Sequence, residues 1–295
     1  MTPPPLGVLR AGFHSLTRYV SRNYVAGPAV ADALRIGHHL ASRGYAITLG
    51  YWDAAGDSAD QVLEICLDAC EGLATLGGDN YLSIKIPAIG YDSRRFRLLQ
   101  AKSREWGVPI CFDALDPETA TRTFDFIAQH LDTGPGEIAC VIPGRWRRSP
   151  EDAERALALG LTVRVVKGQS PDPAEPDRDP ASGYLDVVRT LSGRARCVRV
   201  ASHDPLVGRE ALAMLTAART PCELELLYGL PVGEQVALAR EFAVPVRVYV
   251  AFGHAFLPYA LASLRRNPAG VLRLLREALR GDCLSTFPSL AAESR

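Results

Sequence analysis

The stretch LTVRVVKGQS, residues 161–170, decides how the chain is read. Thr162, Val163, Val165 and Val166 make a short β-branched run behind the helix-ending Gly160, which predicts a buried strand. Two cations interrupt it, Arg164 inside the run and Lys167 at its carboxyl end, with Gly168 next. A cation pointing into an apolar interior is costly unless an anion meets it. Lys167 followed by Gly168 at a strand end suits a phosphate or a cofactor oxygen, gripped by ammonium and backbone. The alternative is a pair of surface charges on an edge strand, and the surrounding chain decides between the two.

Outward from this strand the same rhythm repeats. Strands are predicted at residues 46–49, 81–86, 108–112 and 138–142 before it, and at 197–201, 223–227 and 246–250 after it. Helices are predicted between them, at 59–76, 93–106, 118–131, from Ser149 onward, and at 183–191, 206–218 and 232–242. Their ends are chemically marked. Asp57 and Ser58 can cap the first, Gly77 and Gly78 stop it, and Ser149 at the cap with Pro150 in the first turn marks a helix start. The proline-rich, charged QSPDPAEPDRDP, residues 169–180, is a loop or a lid.

Eight strand–helix alternations with strands apolar on both faces imply a buried parallel sheet. Eight units within about 250 residues predict an α/β chain folded as a (β/α)8 barrel. The expected organisation is an N-terminal helical segment over residues 1–44, the barrel over 45–285 and a fraying tail over 286–295. An open doubly wound sheet is the runner-up, but no GxGxxG follows the first strand. Polar residues gather at predicted carboxyl ends, where barrels build active sites: Asp53, Lys85, Asp113, Lys167, His203, Glu225 and His254. That gathering favours the functional reading of Arg164 and Lys167.

The 33 basic and 33 acidic residues balance, so the charge gives no footprint for nucleic acid. The seven cysteines show no CxxC pair and no zinc spacing; they read as small hydrophobes in a reducing cytosol. No metal site is expected. No apolar run approaches the roughly 20 residues of a membrane span.

Laid out at these strand ends, the sequence resembles the flavin-dependent proline dehydrogenase family, from about residue 18 to 268. VRVVKG at 163–168 resembles the family's VRLVKGAY, and ASHDPL at 201–206 its ATHN or ATHD element. ELELLYG at 223–229 resembles EFQMLYG, and VRVYVAFGHAFLPY at 246–259 resembles VRVYVPYGxxWYPY. SIKIPAIG with Lys85 and ICFDALD with Asp113 fall in register. The resemblance implies a distorted barrel that binds FAD without a covalent bond and oxidises a cyclic secondary amine to an imine. It implies Arg164 beside the flavin N5 edge, Lys167 and Gly168 on the pyrophosphate, and Ser202, His203 and Asp204 on the ribityl and adenine side, with Glu225 also at the cofactor. It implies Lys85, Asp113, Tyr249 and Tyr259 facing the amine or imino-acid substrate, with Lys85 and Asp113 as an ion pair. The electron acceptor would be a quinone or oxygen, and the protein cytoplasmic, with at most peripheral contact to the inner face of the membrane.

The departures carry information too. The family's YxxRR arginine pair, which forks onto the substrate carboxylate, falls at Ala262 and Ser263. Arg266 replaces a glutamate found in some members; Gln169 and Ser170 replace the Ala and Tyr of KGAY; Glu225 replaces the Gln of EFQMLYG; and Pro143 stands where a Gln is usual. Arg265 and Arg266 lie out of helical phase with the missing pair, by about 100° per residue. The first reading is therefore a flavin amine oxidoreductase whose substrate lacks a free α-carboxylate or has it held differently. A second is an ordinary L-proline dehydrogenase with compensating cations such as Arg145 or Arg265. A third is a non-catalytic flavin-binding or scaffold barrel. A fourth, from the residues alone, makes Lys85 or Lys167 a Schiff-base lysine. Among weaker signals, His38-His39 reads as surface, Trp52 and Trp146 as core or pocket wall, and Arg145, Arg147 and Arg148 as a solvated face. The Arg-rich stretch 264–280 reads as a barrel-capping helix in preference to a membrane-surface one.

Overall fold

The strands pair in parallel, in chain order, and close on themselves: β1 (Ala46–Trp52), β2 (Tyr81–Ile84), β3 (Ile110–Phe112), β4 (Ile138–Pro143), β5 (Thr162–Val166), β6 (Val198–Ala201), β7 (Cys222–Leu227) and β8 (Val246–Gly253). The closing pair is β1 with β8, in register from Ala46 opposite Arg247 to Trp52 opposite Gly253. This is the (β/α)8 barrel expected from the alternation. The computed structural model describes residues 25–54, 56–131, 138–253 and 287–290. Tyr259, His254, Ala262, Ser263, Arg265, Arg266 and the stretch 264–280 lie outside the described residues.

Helix α1 (Val30–Ala41) precedes the barrel, and α2 (Ala59–Thr75), α3 (Ser93–Trp106), α4 (Pro117–Gln129), α5 (Ser149–Ala158), α6 (Pro180–Leu191), α7 (Pro205–Ala217) and α8 (Gly233–Glu241) fill the crossovers. Ser58 caps α2, with Gln61 completing a capping box, as its sequence position suggests. Ser149 is instead the first helical residue of α5, and its hydroxyl donates to the carbonyl of Pro143. Strand β2 stops at Ile84, because Pro87 and the left-handed Gly90 (φ 76°) turn residues Ile86–Ile89 into a 3₁₀ helix. Among the described residues, no helix is long and apolar enough to cross a membrane.

The two faces of the strands differ, and this corrects the expectation of strands apolar on both. The outer faces are aliphatic: Ile47, Leu49, Leu82, Ile84, Val163, Val165, Leu224, Leu226, Val248 and Val250 pack with the helices into one core. Each such side chain contributes about 1.5–3 kcal/mol on burial. The inner face holds Thr48, Ser83, Arg164, Arg199, Glu223, Glu225 and Arg247, all buried, with a small apolar patch of Tyr81, Cys111, Ala139 and Val141.

Near the amino ends of the strands, ions plug the barrel. Arg199 Nε and Arg247 Nε each donate to Glu223 Oε1 at 2.7 Å, and Arg247 Nη2 donates to Asp79 Oδ2 at 2.7 Å. The Tyr81 ring lies 3.9 Å from the Arg199 guanidinium and 4.5 Å from that of Arg247. Burial pushes the Glu223 carboxyl upward, but the Arg247 and Arg199 charges outweigh it and hold the group below its ordinary value. With that end sealed, the open mouth is at the carboxyl ends.

The last four described residues, in the tail expected to fray, pack onto this frame. Phe287 is buried edge-on to Tyr45 at 5.4 Å, and Tyr45 OH donates to the Pro288 carbonyl at 2.8 Å.

Candidate active site

The barrel mouth opens into a cavity of about 570 Å³ whose walls include Trp52, Val141, Trp146, Val166 and Leu227, and whose floor includes Asp113, Arg164, Glu225 and Tyr249. Three of these floor residues follow from strand periodicity, and Asp113 stands just past the end of β3. Arg164 points inward because Val163 and Val165 point out; Glu225 does so between Leu224 and Leu226, and Tyr249 between Val248 and Val250. The cation noticed inside an apolar run therefore faces the barrel axis, not solvent.

Arg164 is buried and doubly paired. Its Nη2 donates to Asp113 Oδ1 and, at 3.3 Å, to Ser83 Oγ; its Nη1 donates to Glu225 Oε1 at 3.2 Å. Its guanidinium carbon lies 4.9 Å from the centre of the Tyr249 ring. Burial works against its charge, but Asp113 and then Glu225 overcome that and raise its pKa well above the ordinary value. The Nε of Arg164 is buried without a hydrogen-bond partner.

Glu225 is the most enclosed member. Thr48 Oγ1 donates to its Oε1 at 3.0 Å and Tyr81 OH to its Oε2 at 2.6 Å. Burial, then the Glu225 charge, push the Tyr81 phenol well above its ordinary pKa, so it keeps its proton for Glu225. On the Asp113 side, Ser83 Oγ donates at 2.8 Å and Tyr249 OH lies at 3.4 Å. Gly50 leaves the room Tyr249 needs, since a Cβ there would overlap the phenol oxygen.

The expected Lys85–Asp113 pair does not form. Lys85 Nζ donates to Asp53 Oδ1 at 2.8 Å, while Asp113 is taken by Arg164 and Ser83. Lys85 sits on β2's carboxyl side between the ends of β1 and β3, so either carboxylate is near in topology. Arg164, reaching across from β5, claims Asp113 and leaves Asp53 for the lysine.

At the rim the sequence candidates are busy with the backbone. Lys167 Nζ pairs with Asp204 Oδ2 at 2.8 Å, with the two side chains 38% and 36% exposed, so the pair is worth at most about 1 kcal/mol and yields readily to a stronger anion. Asp204 also caps α7, accepting from Leu206 N and Val207 N, and Ser202 Oγ accepts from Asp204 N. His203 Nε2 accepts from Leu227 N at 2.8 Å and its Nδ1 lies 3.2 Å from the Pro231 carbonyl. Burial pushes its pKa down to about 4, so the ring is neutral and presents carbon, not a donor, to the cavity it lines. Gly168 has φ 88°, and a Cβ there would stand 2.7 Å from Pro143 Cβ. This close approach lets the stretch after β5 fasten onto the one after β4, through Trp146 Nε1 to the Ser170 carbonyl (2.9 Å) and Arg147 N to Asp172 Oδ2 (2.8 Å).

Thr48, Tyr81 and Ser83 escaped the sequence reading. For two of them the signal was there: Tyr81 and Ser83 share one face of the predicted strand with Lys85.

A flavin suits this cavity on three counts: flat apolar walls for a ring system, a buried cation on the floor with an unsatisfied Nε, and a releasable lysine at the rim for phosphate.

No family model matches the chain. The proline dehydrogenase 1 of Bacillus subtilis subsp. natto is 27% identical over 282 residues, covering 90% of this chain and 92% of that protein. Its namesake from Bacillus subtilis strain 168 is 26% identical over the same span. Among solved structures, proline utilization A from Bdellovibrio bacteriovorus superimposes with a TM-score of 0.72 at 16% identity, over 92% of this chain and 35% of that one. Proline utilization A from Corynebacterium freiburgense gives a TM-score of 0.62 at 15% identity, over 90% and 33%. This chain spans about a third of the length of those structures, and the likeness to them is one of fold.

Proposed function

We propose that this chain, which belongs to the proline dehydrogenase family, uses FAD to oxidise a C–N bond of a small secondary amine to an imine. The observation that carries the reading is Arg164: a buried guanidinium on the cavity floor, clamped by Asp113 and Glu225, with one nitrogen unsatisfied. When bound, the flavin supplies a two-electron acceptor.

The chain's own residues do the rest. Arg164 offers a hydrogen bond where negative charge develops on reduction, and its clamp by Asp113 and Glu225 holds the guanidinium there without reorganisation. Lys167 exchanges Asp204 for a phosphate oxygen, and Gly168 lets the backbone approach. Tyr249, whose phenol burial and then Asp113 push above its ordinary value, stays protonated and packs the substrate ring against the floor. Trp52, Trp146 and the rim exclude water. The bound ammonium first gives one proton to solvent, which frees the nitrogen lone pair; the substrate's C–H then leaves as hydride as that lone pair forms the C=N bond, and the remaining N–H proton goes to solvent. An external acceptor, a quinone or oxygen, completes turnover.

The substrate preferred in this reading lacks a free α-carboxylate, because Ala262 and Ser263 occupy the positions of the family's arginine fork. L-proline is the second reading, favoured by the names of the two Bacillus relatives. Titration of the purified chain with FAD tests the cofactor: saturable uptake with a perturbed visible spectrum is expected, and a chain that takes up no FAD overturns the proposal.

A further inference from the structure

Both cations lining the described part of the cavity touch carboxylates. Lys85 is on Asp53, and Arg164 is on Asp113 and Glu225 together. Among the described residues, three carboxylates line the cavity, those of Asp113, Asp116 and Glu225, and Asp53 stands as a fourth behind Lys85, against the two cations. His203 adds no charge, since both ring nitrogens face backbone groups. The described site is thus anionic although it contains an arginine.

Two carboxylates are in excess: Asp116, which caps α4 by accepting from Thr119 N, and Glu225 on the floor. Asp113 alone would balance Arg164 one to one. Glu225, 3% exposed, adds a second carboxylate, which accepts from three donors: Thr48, Tyr81 and Arg164. A neutral amide would accept the two hydroxyls about as well without supplying the charge.

We propose that Glu225 is a specificity-determining residue: with Asp113 it over-neutralises Arg164, so the cavity selects a positively charged, carboxylate-free amine over a zwitterionic amino acid. The inference rests on the cavity being the amine site, as in the function proposed above. A zwitterion brings a carboxylate that Asp113 and Glu225 repel, whereas an ammonium is attracted by both. One unit charge acting over roughly 6–8 Å at an effective dielectric near 20 corresponds to more than tenfold in affinity.

The test uses two ring-sized probes that cannot be oxidised at a C–N bond to an imine as a secondary amine is: N,N-dimethylpyrrolidinium, a cation, and tetrahydrofuran-2-carboxylate, an anion. Their binding to the FAD-treated protein is measured by calorimetry at neutral pH. The parent is expected to bind the cation at least about tenfold more tightly, and Glu225→Gln to move that ratio at least about tenfold toward the anion. Thr48→Val, which removes a hydrogen bond to Glu225 but not its charge, is expected to leave the ratio in place. The proposal is overturned if the parent shows no saturable binding of the cation or prefers the anion. It is equally overturned if a folded Glu225→Gln keeps the parent ratio, or if Thr48→Val moves it as far. Should Glu225→Gln not fold, the parent ratio and Thr48→Val still decide. Reduction of the bound flavin by pyrrolidine is recorded in parallel: reduction with the wrong probe preference sinks this inference alone, and no reduction sinks the function it rests on.

Discussion

At the scale of single residues, the site is a matter of which carboxylate each cation finds. Lys85 and Asp53 form a partly buried pair, so Asp53→Asn and Lys85→Met should be non-additive in thermal unfolding, with a coupling of about 0.5–3 kcal/mol. Lys85→Met with Asp113→Asn should add to within about 0.5 kcal/mol. Coupling of the second pair and additivity of the first would restore the pairing expected from sequence. That expectation failed for a physical reason. Strand order puts Lys85 between two carboxylates, and the choice falls to Arg164, 51 residues beyond Asp113 in sequence. Arg164 itself was legible because a cation in a β-branched run is locally anomalous. His203 makes a further prediction. Its folded pKa, pushed by burial to about 4 from an ordinary 6.5, lies below the unfolded value, so the unfolded chain binds the extra proton between them. The stability His203 contributes is complete above pH 6.5 and is lost as pH falls toward and through 4. Across that window the parent's melting temperature should fall more steeply than that of His203→Gln; parallel curves would remove His203 as the cause.

At the scale of elements, helix starts and strand centres were readable, while strand ends were not. Strand β1 runs on to Trp52 and β8 to Gly253 because they pair with each other along seven positions, a gain no local window contains. Gly50 shows the consequence. It reads as the residue that ends a strand, yet it lies mid-strand, where its missing side chain admits the Tyr249 hydroxyl. Gly50→Ala should therefore cost about 1–3 kcal/mol through overpacking, and Tyr249→Phe, by removing the oxygen, should recover much of that loss in the double variant. Melting curves of the four proteins check it. No recovery would mean that the crowding lies elsewhere.

At the scale of the whole molecule, the alternation of eight strands and their helices was visible in the chain and determined the barrel, but the ionic filling of its interior was not. Arg199, Glu223 and Arg247 each look like an isolated charge in an apolar strand. Only closure of the barrel brings them together under Tyr81. That plug gives the fold one sealed and one open end, and the open end holds the Arg164 clamp. The account stands on what happens there. The most direct measurement is anaerobic mixing of the FAD-loaded protein with pyrrolidine, L-proline methyl ester and L-proline, following the visible band of the oxidised flavin. The account predicts that the band bleaches with a secondary amine, faster with pyrrolidine or the ester than with L-proline. A protein that holds FAD yet shows no bleaching with any of the three would contradict it.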